Sequence, residues 1–318
     1  MAILPSLLLP VFLLFSAPDP VPEGPGLHFI DVGQGSALLI RSREGEVVLV
    51  DSGPPSGAEA IQRALALHGV DRVALWIHSH HDADHIGGFA RVVAGADRSW
   101  PSADDLVVEA LWDRGLDEDD GPFPDSDALA LYRTVAGEAR VRAEPGWVFT
   151  AAGLRLEVLG RGLEPVAATA PENDRGLALC LELEGMRALL PGDLPAERLV
   201  ELATDCAAVD LLWLSHHGAL GGSSAALVDL VDPRVVVVGA GHDNGYCHPA
   251  PQSLALLSDR PLWILDGAGI GPDGGCPGLA TDLGPAHALV GGDLWISPEL
   301  RVFLGSPGAG FVASEPPP

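Results

Sequence analysis

The segment that most constrains this chain is an apolar run, "RVALWI", that leads directly into "HSHHDADHIGG". Four histidines and two aspartates occupy the eight residues from His78 to His85, and a glycine pair follows. We read the apolar run as a buried β-strand, and functional groups in layered α/β folds commonly lie at the carboxyl ends of such strands. The cluster therefore predicts a metal site built on a strand end.

Similar clusters follow other apolar runs. Asp51 follows "EVVLV", Asp193 follows "RALLPG", the pair His216–His217 follows "LLWLS", and "GHDNGYCHP" follows "RVVVVGA". Carboxylates and imidazoles gathered at several strand ends form the donor set of a dinuclear metal site. No CxxC motif occurs, which argues against a zinc–thiolate site.

The order of predicted elements indicates the fold. A strand-rich region is followed by a helical region, of which "GAEAIQRALALHGV" is an example. This alternation of strands and helices occurs twice along the chain. The order predicts one domain in which two sheets pack face to face with helices outside. Residues 99–128 are strongly acidic, and we expect them to form a solvated loop near the site.

The charge balance restricts the partners. The net charge is −26, from 44 acidic residues and 18 basic ones, and every basic residue is an arginine. The absence of lysine excludes Schiff-base chemistry. The acidity argues against an extended basic surface for nucleic acid, whose binding depends largely on phosphate neutralisation.

The two ends of the chain differ from its middle. Residues 1–25 combine an uncharged apolar run with a proline-rich stretch, which predicts a signal peptide and linker and an exported protein; an uncleaved membrane anchor is the alternative. The tail, 306–318, has the composition of an unfolded terminus. Among four cysteines, Cys247 and Cys276 form the candidate disulfide, the alternative being four reduced cysteines.

The motifs resemble those of a known family. "HxDxDHIGG", which covers residues 80–88, is similar to the HxHxDH signature of the metallo-β-lactamase superfamily, with aspartate at the third position. Together with "IDVGQGSALLI", "LPGD", "SHHG" and "NGYCHP", it resembles the soluble domain of the competence protein ComEC family, which takes up DNA. The resemblance covers residues 26–305 and implies an α/β fold, the four-layer αββα sandwich of metallo-β-lactamases, over that range.

The resemblance also implies roles for particular residues. His80 and Asp82 would bind one metal ion, Asp84 and His85 the other, and Asp193 would bridge them. One histidine of the pair His216–His217 would complete the second site, and the resemblance does not decide which. The side chains that would support the ligands from behind are Asp31, Gln34, Asp51 and Asn244.

The implied activity is metal-dependent hydrolysis of a phosphodiester, of the nuclease type, by a metal-activated hydroxide. Asp84, His217 and His248 would take part in catalysis, and His248 would bind or protonate the leaving group. The cofactors would be two divalent ions, Zn²⁺ or Mn²⁺, because the carboxylate-rich ligand set suits manganese as well as zinc. The substrate would be a small phosphoester or a single-stranded nucleic acid.

Two other functions fit the same residues. The site could hydrolyse a carbonyl compound such as a lactone, lactam or thioester, or it could serve a non-catalytic, metal-dependent binding module.

The remaining histidines are interpreted as scaffolding or surface residues: His78, His81, His28, His68, His242 and His287.

Overall fold

The structure is a computed structural model. It describes residues 21–94, 100–101, 105–116, 123–162, 170–242, 244–266, 276, 286–306 and 310–314. The predicted signal segment and the acidic residues 117–122 lie outside these ranges.

The described residues form two large sheets. Numbered in chain order, the strands of the first sheet run β19 (Gly310–Ser314), β18 (Val302–Ser306), β17 (Leu294–Ile296), β1 (Gly26–Phe29), β2 (Leu38–Arg41), β3 (Val47–Val50), β5 (Leu75–Ile77), β7 (Leu111–Asp113) and β8 (Arg140–Arg142). Those of the second run β16 (His287–Leu289), β15 (Leu262–Ile264), β14 (Val235–Val238), β13 (Leu211–Trp213), β12 (Met186–Leu190), β11 (Leu177–Leu183), β10 (Leu154–Arg161) and β9 (Val148–Ala151). A short ribbon pairs β4 (Arg72–Val73) with β6 (Val107–Val108).

Helices cover the outer faces of both sheets. They are α1 (Ala58–Leu67), α2 (Ala83–Ile86), α3 (Phe89–Val93), α4 (Asp127–Ala136), α5 (Ala196–Leu202), α6 (Ala225–Val231) and α7 (Pro251–Ala255). Strand β3 shows why four layers result, because its alternate residues face opposite sides. Val48 and Val50 pack between the sheets, whereas Val47 and Leu49 pack under α1 and α3. A third apolar cluster joins the second sheet to α5, α6 and α7. The predicted αββα sandwich is confirmed.

Parallel strands bring the polar clusters to one edge. Strands β3, β5, β7 and β8 are parallel, and so are β12 to β16. The loops after β3, β5, β12, β13 and β14 carry Asp51, the 78–85 run, Asp193, the 216–217 pair and the 241–249 loop, respectively. The carboxyl ends of both sheets therefore meet at the predicted site.

Two predictions about irregular regions were wrong. Within 99–128, the described residues include β6, β7 and the first residues of α4, because "LVVEALWD" is apolar enough to pair with β4 and β5. The tail contains β19, which pairs with β18 because Phe311 is buried against His28. Proline and glycine around this strand obscured it in the sequence.

The cysteines form two disulfides. Cys247–Cys276 is the predicted pair, whereas Cys180–Cys206 was not predicted. Among the described residues, no helix combines the length and the apolar character that crossing a bilayer requires.

Candidate metal centre

Two groups of potential metal ligands meet between the sheets. One group contains His80, His85 and Asp193, and the other contains Asp84, His85 and His217; within each group the donor atoms lie within 4.8 Å of one another. Because the groups share His85 and adjoin at Asp193, they form one centre. We call these residues, together with Asp82, the His–Asp centre. Asp82 stands at its solvent side, one third exposed, with Oδ2 3.5 Å from Nε2 of His80.

Asp193 occupies the middle of the His–Asp centre. Its Oδ1 lies 3.2 Å from Nε2 of His85, and its Oδ2 lies 3.6 Å from Nε2 of His217 and 3.9 Å from Nε2 of His80. The tight turn before it requires Gly192, whose φ is +56° and whose added Cβ would lie 3.0 Å from Cβ of Ser79. The turn thus holds a carboxylate between the two groups, where a bridging ligand would have to be.

Asp51 orients two of the ligand histidines, His85 directly and His80 through Ser79. Its Oδ2 accepts hydrogen bonds from Nδ1 of His85 and from the hydroxyl of Ser79, both at 2.8 Å, and its Oδ1 accepts the Ser79 N–H at 2.7 Å. The Ser79 hydroxyl also lies 3.0 Å from Nδ1 of His80. Asp51 itself has a φ of 58°, an uncommon conformation for a non-glycine residue that tends to cluster at functional sites. Sequence reasoning missed Ser79, because a serine between two histidines carries no distinctive signal.

His217, and not His216, enters the centre. Both residues have left-handed backbone conformations, with φ of 52° and 51°, which turn their side chains in different directions. His217 is buried; its Nδ1–H donates to the carbonyl of Gly239 at 2.7 Å, and its Nε2 lies 3.2 Å from Oδ2 of Asp84. His216 is one third exposed and accepts a hydrogen bond from the Asn173 amide at 3.1 Å. His216 therefore lies at the rim, with its Nε2 3.8 Å from Oδ2 of Asp193.

The donor set of the centre fits divalent cations. The Nδ1 atom of each ligand histidine points away from the centre: that of His85 to Asp51, that of His217 to Gly239 and that of His80 to Ser79. The Nε2 atoms therefore face the carboxylates. In addition, Nε2 of His80 is buried and makes no hydrogen bond within the described residues. Imidazole lone pairs and carboxylates packed this closely repel one another unless a cation lies between them.

The pKa shifts express the same demand for positive charge. Burial lowers the pKa of His85, but the carboxylates of Asp193 and Asp51 outweigh burial and hold it well above its usual range. Burial likewise opposes ionisation of Asp193, but His85 and His217 hold its pKa well below the usual range. Without a metal ion, protons on the histidines would thus supply the positive charge that divalent cations supply in such sites.

His81 belongs to a buried ion network that fixes the motif backbone. Oε1 of Glu172 accepts the backbone N–H of His81 at 2.8 Å, and both oxygens of Glu172 accept hydrogen bonds from Arg114, at 2.6 and 2.5 Å. The His81 ring lies 3.7 Å from the Asp113 carboxylate. Arg114 and Glu172 are both almost fully buried. Neither residue was predicted, because they are separated by 58 residues along the chain and match no motif.

The other predicted scaffold histidines are structural or exposed. His78 packs among Trp76, Phe89 and Tyr132, and burial lowers its pKa to about 4. His28 is buried between His68 and Asp293, with ring-nitrogen distances of 3.0 and 3.1 Å. His287 contacts the Leu257 carbonyl, and His242 is exposed.

Asp31 and Gln34 do not contact the ligands within the described residues. Asp31 accepts the N–H of Gly33 at 3.0 Å, and Gln34 accepts the N–H of Gly241 at 3.1 Å. The predicted direct support from these two side chains is therefore corrected. The turn they belong to does reach the centre through its backbone, because the Ser36 N–H donates to the Asp84 carbonyl at 3.1 Å.

Asn244 shapes the loop that carries His248. Its amide N–H group donates to the carbonyls of Gly241 and His248 at 2.7 and 2.8 Å, and its oxygen accepts the His248 N–H at 2.9 Å. The His248 ring lies 5.5 Å from the ring of His216. Asn244 thus supports a rim residue instead of a ligand of the centre.

These features define a metallo-hydrolase fold whose predicted ligands converge at the strand ends. The metallo-β-lactamase superfamily matches residues 30–242, and the chain belongs to this superfamily.

Among characterised proteins, the chain is similar to ComE operon protein 3 of Bacillus subtilis (strain 168), with 25% identity over 275 residues, which cover 80% of this chain and 33% of that one. It is also similar to the competence protein ComA of Neisseria gonorrhoeae, with 29% identity over 237 residues, covering 73% and 29%. The chain thus spans about a third of the length of these relatives. The predicted resemblance to the competence-protein branch is confirmed.

Among solved structures, the metallo-β-lactamase fold protein YhfI of Bacillus subtilis matches with a TM-score of 0.46 and 12% identity, covering 76% of this chain and 96% of that one.

Proposed function

We propose that this chain is a metal-dependent phosphodiesterase. The observation that carries the proposal is the position of Asp193 between two ligand groups that share His85, next to the carboxylates of Asp82 and Asp84. In such a centre two divalent cations would supply a nucleophilic water of lowered pKa and charge stabilisation at a phosphoryl group.

The ligands divide between the two cation positions. His80 and Asp82 would hold one ion, Asp84, His85 and His217 the other, and Asp193 both. Three carboxylates among six ligands form a hard donor set, which admits Mn²⁺ beside Zn²⁺. Asp51 and Ser79 fix the imidazoles of His85 and His80 in the orientation that turns Nε2 inward.

The rim residues would bind the substrate. His216 and His248 stand side by side at the open edge of the centre, where their ring nitrogens can hydrogen-bond phosphoryl or leaving-group oxygens. Asn173 keeps His216 in place. The similarity to a competence protein, together with the sequence resemblance to a family that takes up DNA, supports a nucleic-acid phosphodiester as substrate, preferably single-stranded because the chain is strongly acidic. The apolar N-terminus supports export, and the disulfides fit an oxidising compartment.

The test is release of nitrophenol from bis(p-nitrophenyl) phosphate by protein supplied with Zn²⁺ or Mn²⁺. We expect turnover that Asp193→Asn reduces by at least about 100-fold, since loss even of outer partners of metal ligands costs about 10–100-fold. Asp229→Asn, at an exposed carboxylate on α6, is the matched control and should retain activity.

Two outcomes would redirect the assignment. Turnover of a thioester or lactone without turnover of the phosphodiester would show a carbonyl hydrolase. Stoichiometric metal without turnover of either substrate class would show a binding module.

A further inference from the structure

The rim of the centre carries an aromatic side chain with no role in the mechanism above. Tyr246 is 72% exposed. Asn244, two residues away, makes three hydrogen bonds within the same loop, and the neighbouring Cys247 forms a disulfide with Cys276. An exposed aromatic ring at the edge of a site offers an apolar face and a polar hydroxyl for contact with a ligand.

Tyr246 ends a row of rings that begins at the centre. Its ring is nearly parallel to that of His248, with an interplanar angle of 19° and centroids 5.8 Å apart. The His248 ring in turn lies 5.5 Å from that of His216, whose Nε2 lies 3.8 Å from Asp193. The row of rings therefore leads from the His–Asp centre past two imidazoles to the tyrosine, and a substrate held at the centre can follow it.

The chemistry of this row favours a nucleobase. With a net charge of −26, the protein gains little from phosphate neutralisation, the usual source of affinity for nucleic acid. Stacking of a base on an aromatic ring requires no positive charge and accepts any base. Hydrogen-bonding imidazoles next to a stacking ring thus match a nucleotide, which joins a phosphate to a planar base.

We infer that Tyr246 is a specificity-determining residue that stacks a nucleobase next to the scissile phosphodiester, so that the substrates are single-stranded oligonucleotides. This inference rests on the proposed phosphodiesterase function and adds the part of the substrate that the site selects. Tyr246 would act on substrate binding, not on the chemical step, because its ring is separated from the centre by His248 and His216.

The test compares two fluorescein-labelled tetramers, one of thymidine nucleotides and one of abasic residues, which share the phosphodiester backbone. We expect wild-type protein to cleave the thymidine tetramer with a kcat/KM about tenfold higher than that for the abasic tetramer, a ratio within the range of one base–aromatic stack. Tyr246→Ala should abolish the preference by raising KM for the thymidine tetramer, with the abasic tetramer unaffected. Tyr246→Phe should keep the preference, and Val312→Ala, which shortens an exposed apolar side chain on β19, is the matched control.

Each result separates the inference from the proposed function. Cleavage of both tetramers at equal efficiency by wild-type protein, or an equal loss on both in Tyr246→Ala, would overturn the role of Tyr246 and leave the phosphodiesterase intact. If neither tetramer is cleaved, turnover of bis(p-nitrophenyl) phosphate decides the proposed function separately, and fluorescence anisotropy of the same tetramers decides the inference. Tighter binding of the thymidine tetramer that disappears in Tyr246→Ala would support it, and equal binding would overturn it.

Discussion

Asp51 and His85 are joined by a hydrogen bond of 2.8 Å between Oδ2 of the carboxylate and Nδ1 of the imidazole, and both residues are buried. This contact links the ends of two adjacent parallel strands, β3 and β5, because Asp51 directly follows the first and His85 lies in the helix after the second. It fixes which nitrogen of His85 faces Asp193, and therefore the donor atom available to a metal ion.

The first prediction concerns this contact. Asp51→Asn keeps the shape of the side chain but replaces one acceptor oxygen by an N–H donor, so either His85 or Ser79 loses its partner. We expect the affinity for Zn²⁺ to fall about 10- to 100-fold, measured by competition with a chelator. Asp229→Asn should bind zinc as the wild type does. An unchanged affinity in Asp51→Asn would show that His85 does not need this support.

The second prediction concerns the ion pair behind the motif. Glu172→Gln removes a charge that pairs with Arg114 where both groups are almost fully buried, and we expect the free energy of unfolding in urea to fall by about 3 kcal/mol. Glu109→Gln breaks the exposed pair with Arg72 and should change it by less than about 1 kcal/mol. Equal effects of the two substitutions on the free energy of unfolding would contradict the role of Glu172 in fixing the backbone at His81.

The third prediction compares the two disulfides, which close loops of similar length, with sequence separations of 26 and 29. Removing either by paired Cys→Ser substitution should therefore destabilise the protein to a similar extent, about 2–4 kcal/mol. Only loss of Cys247–Cys276 should raise KM for the phosphodiester, because only that disulfide adjoins His248. An equal rise of KM in both variants would argue against a specific role of the loop in substrate binding.

The fourth prediction is a pH dependence at Asp31. Burial raises the pKa of this carboxyl from 3.8 to about 6 although the Gly33 N–H opposes the shift. Since the folded state then holds the proton more tightly than the unfolded chain, stability is present below about pH 4 and is lost as the pH rises through about 6. Asp31→Asn should accordingly raise Tm above pH 6 and leave it unchanged at pH 4. A difference in Tm that is independent of pH would contradict the shifted carboxyl.

The sequence was sufficient to predict the layers of the fold and the convergence of the ligands, because both depend on local patterns. Apolar runs ending in polar residues identify β3, β5, β12 and β13, and parallel pairing then brings Asp51, His85 and Asp193 to one edge.

Contacts between distant segments could not be predicted in this way. Glu172 reaches the backbone of His81 across 91 residues, and the choice of His217 over His216 depends on two left-handed backbone conformations. Gln34 was predicted to support the ligands but contacts the 241–249 loop, which only the packing of the two sheets reveals.

The most direct test of the central claim is the number of metal ions bound per chain. The purified protein is supplied with Zn²⁺ or Mn²⁺, unbound metal is removed, and the bound metal is measured by plasma mass spectrometry. We expect two ions per chain in the wild type. His85→Ala should lose at least one of them, because both ligand groups share this residue. Fewer than one ion per wild-type chain under replete conditions would contradict the dinuclear centre.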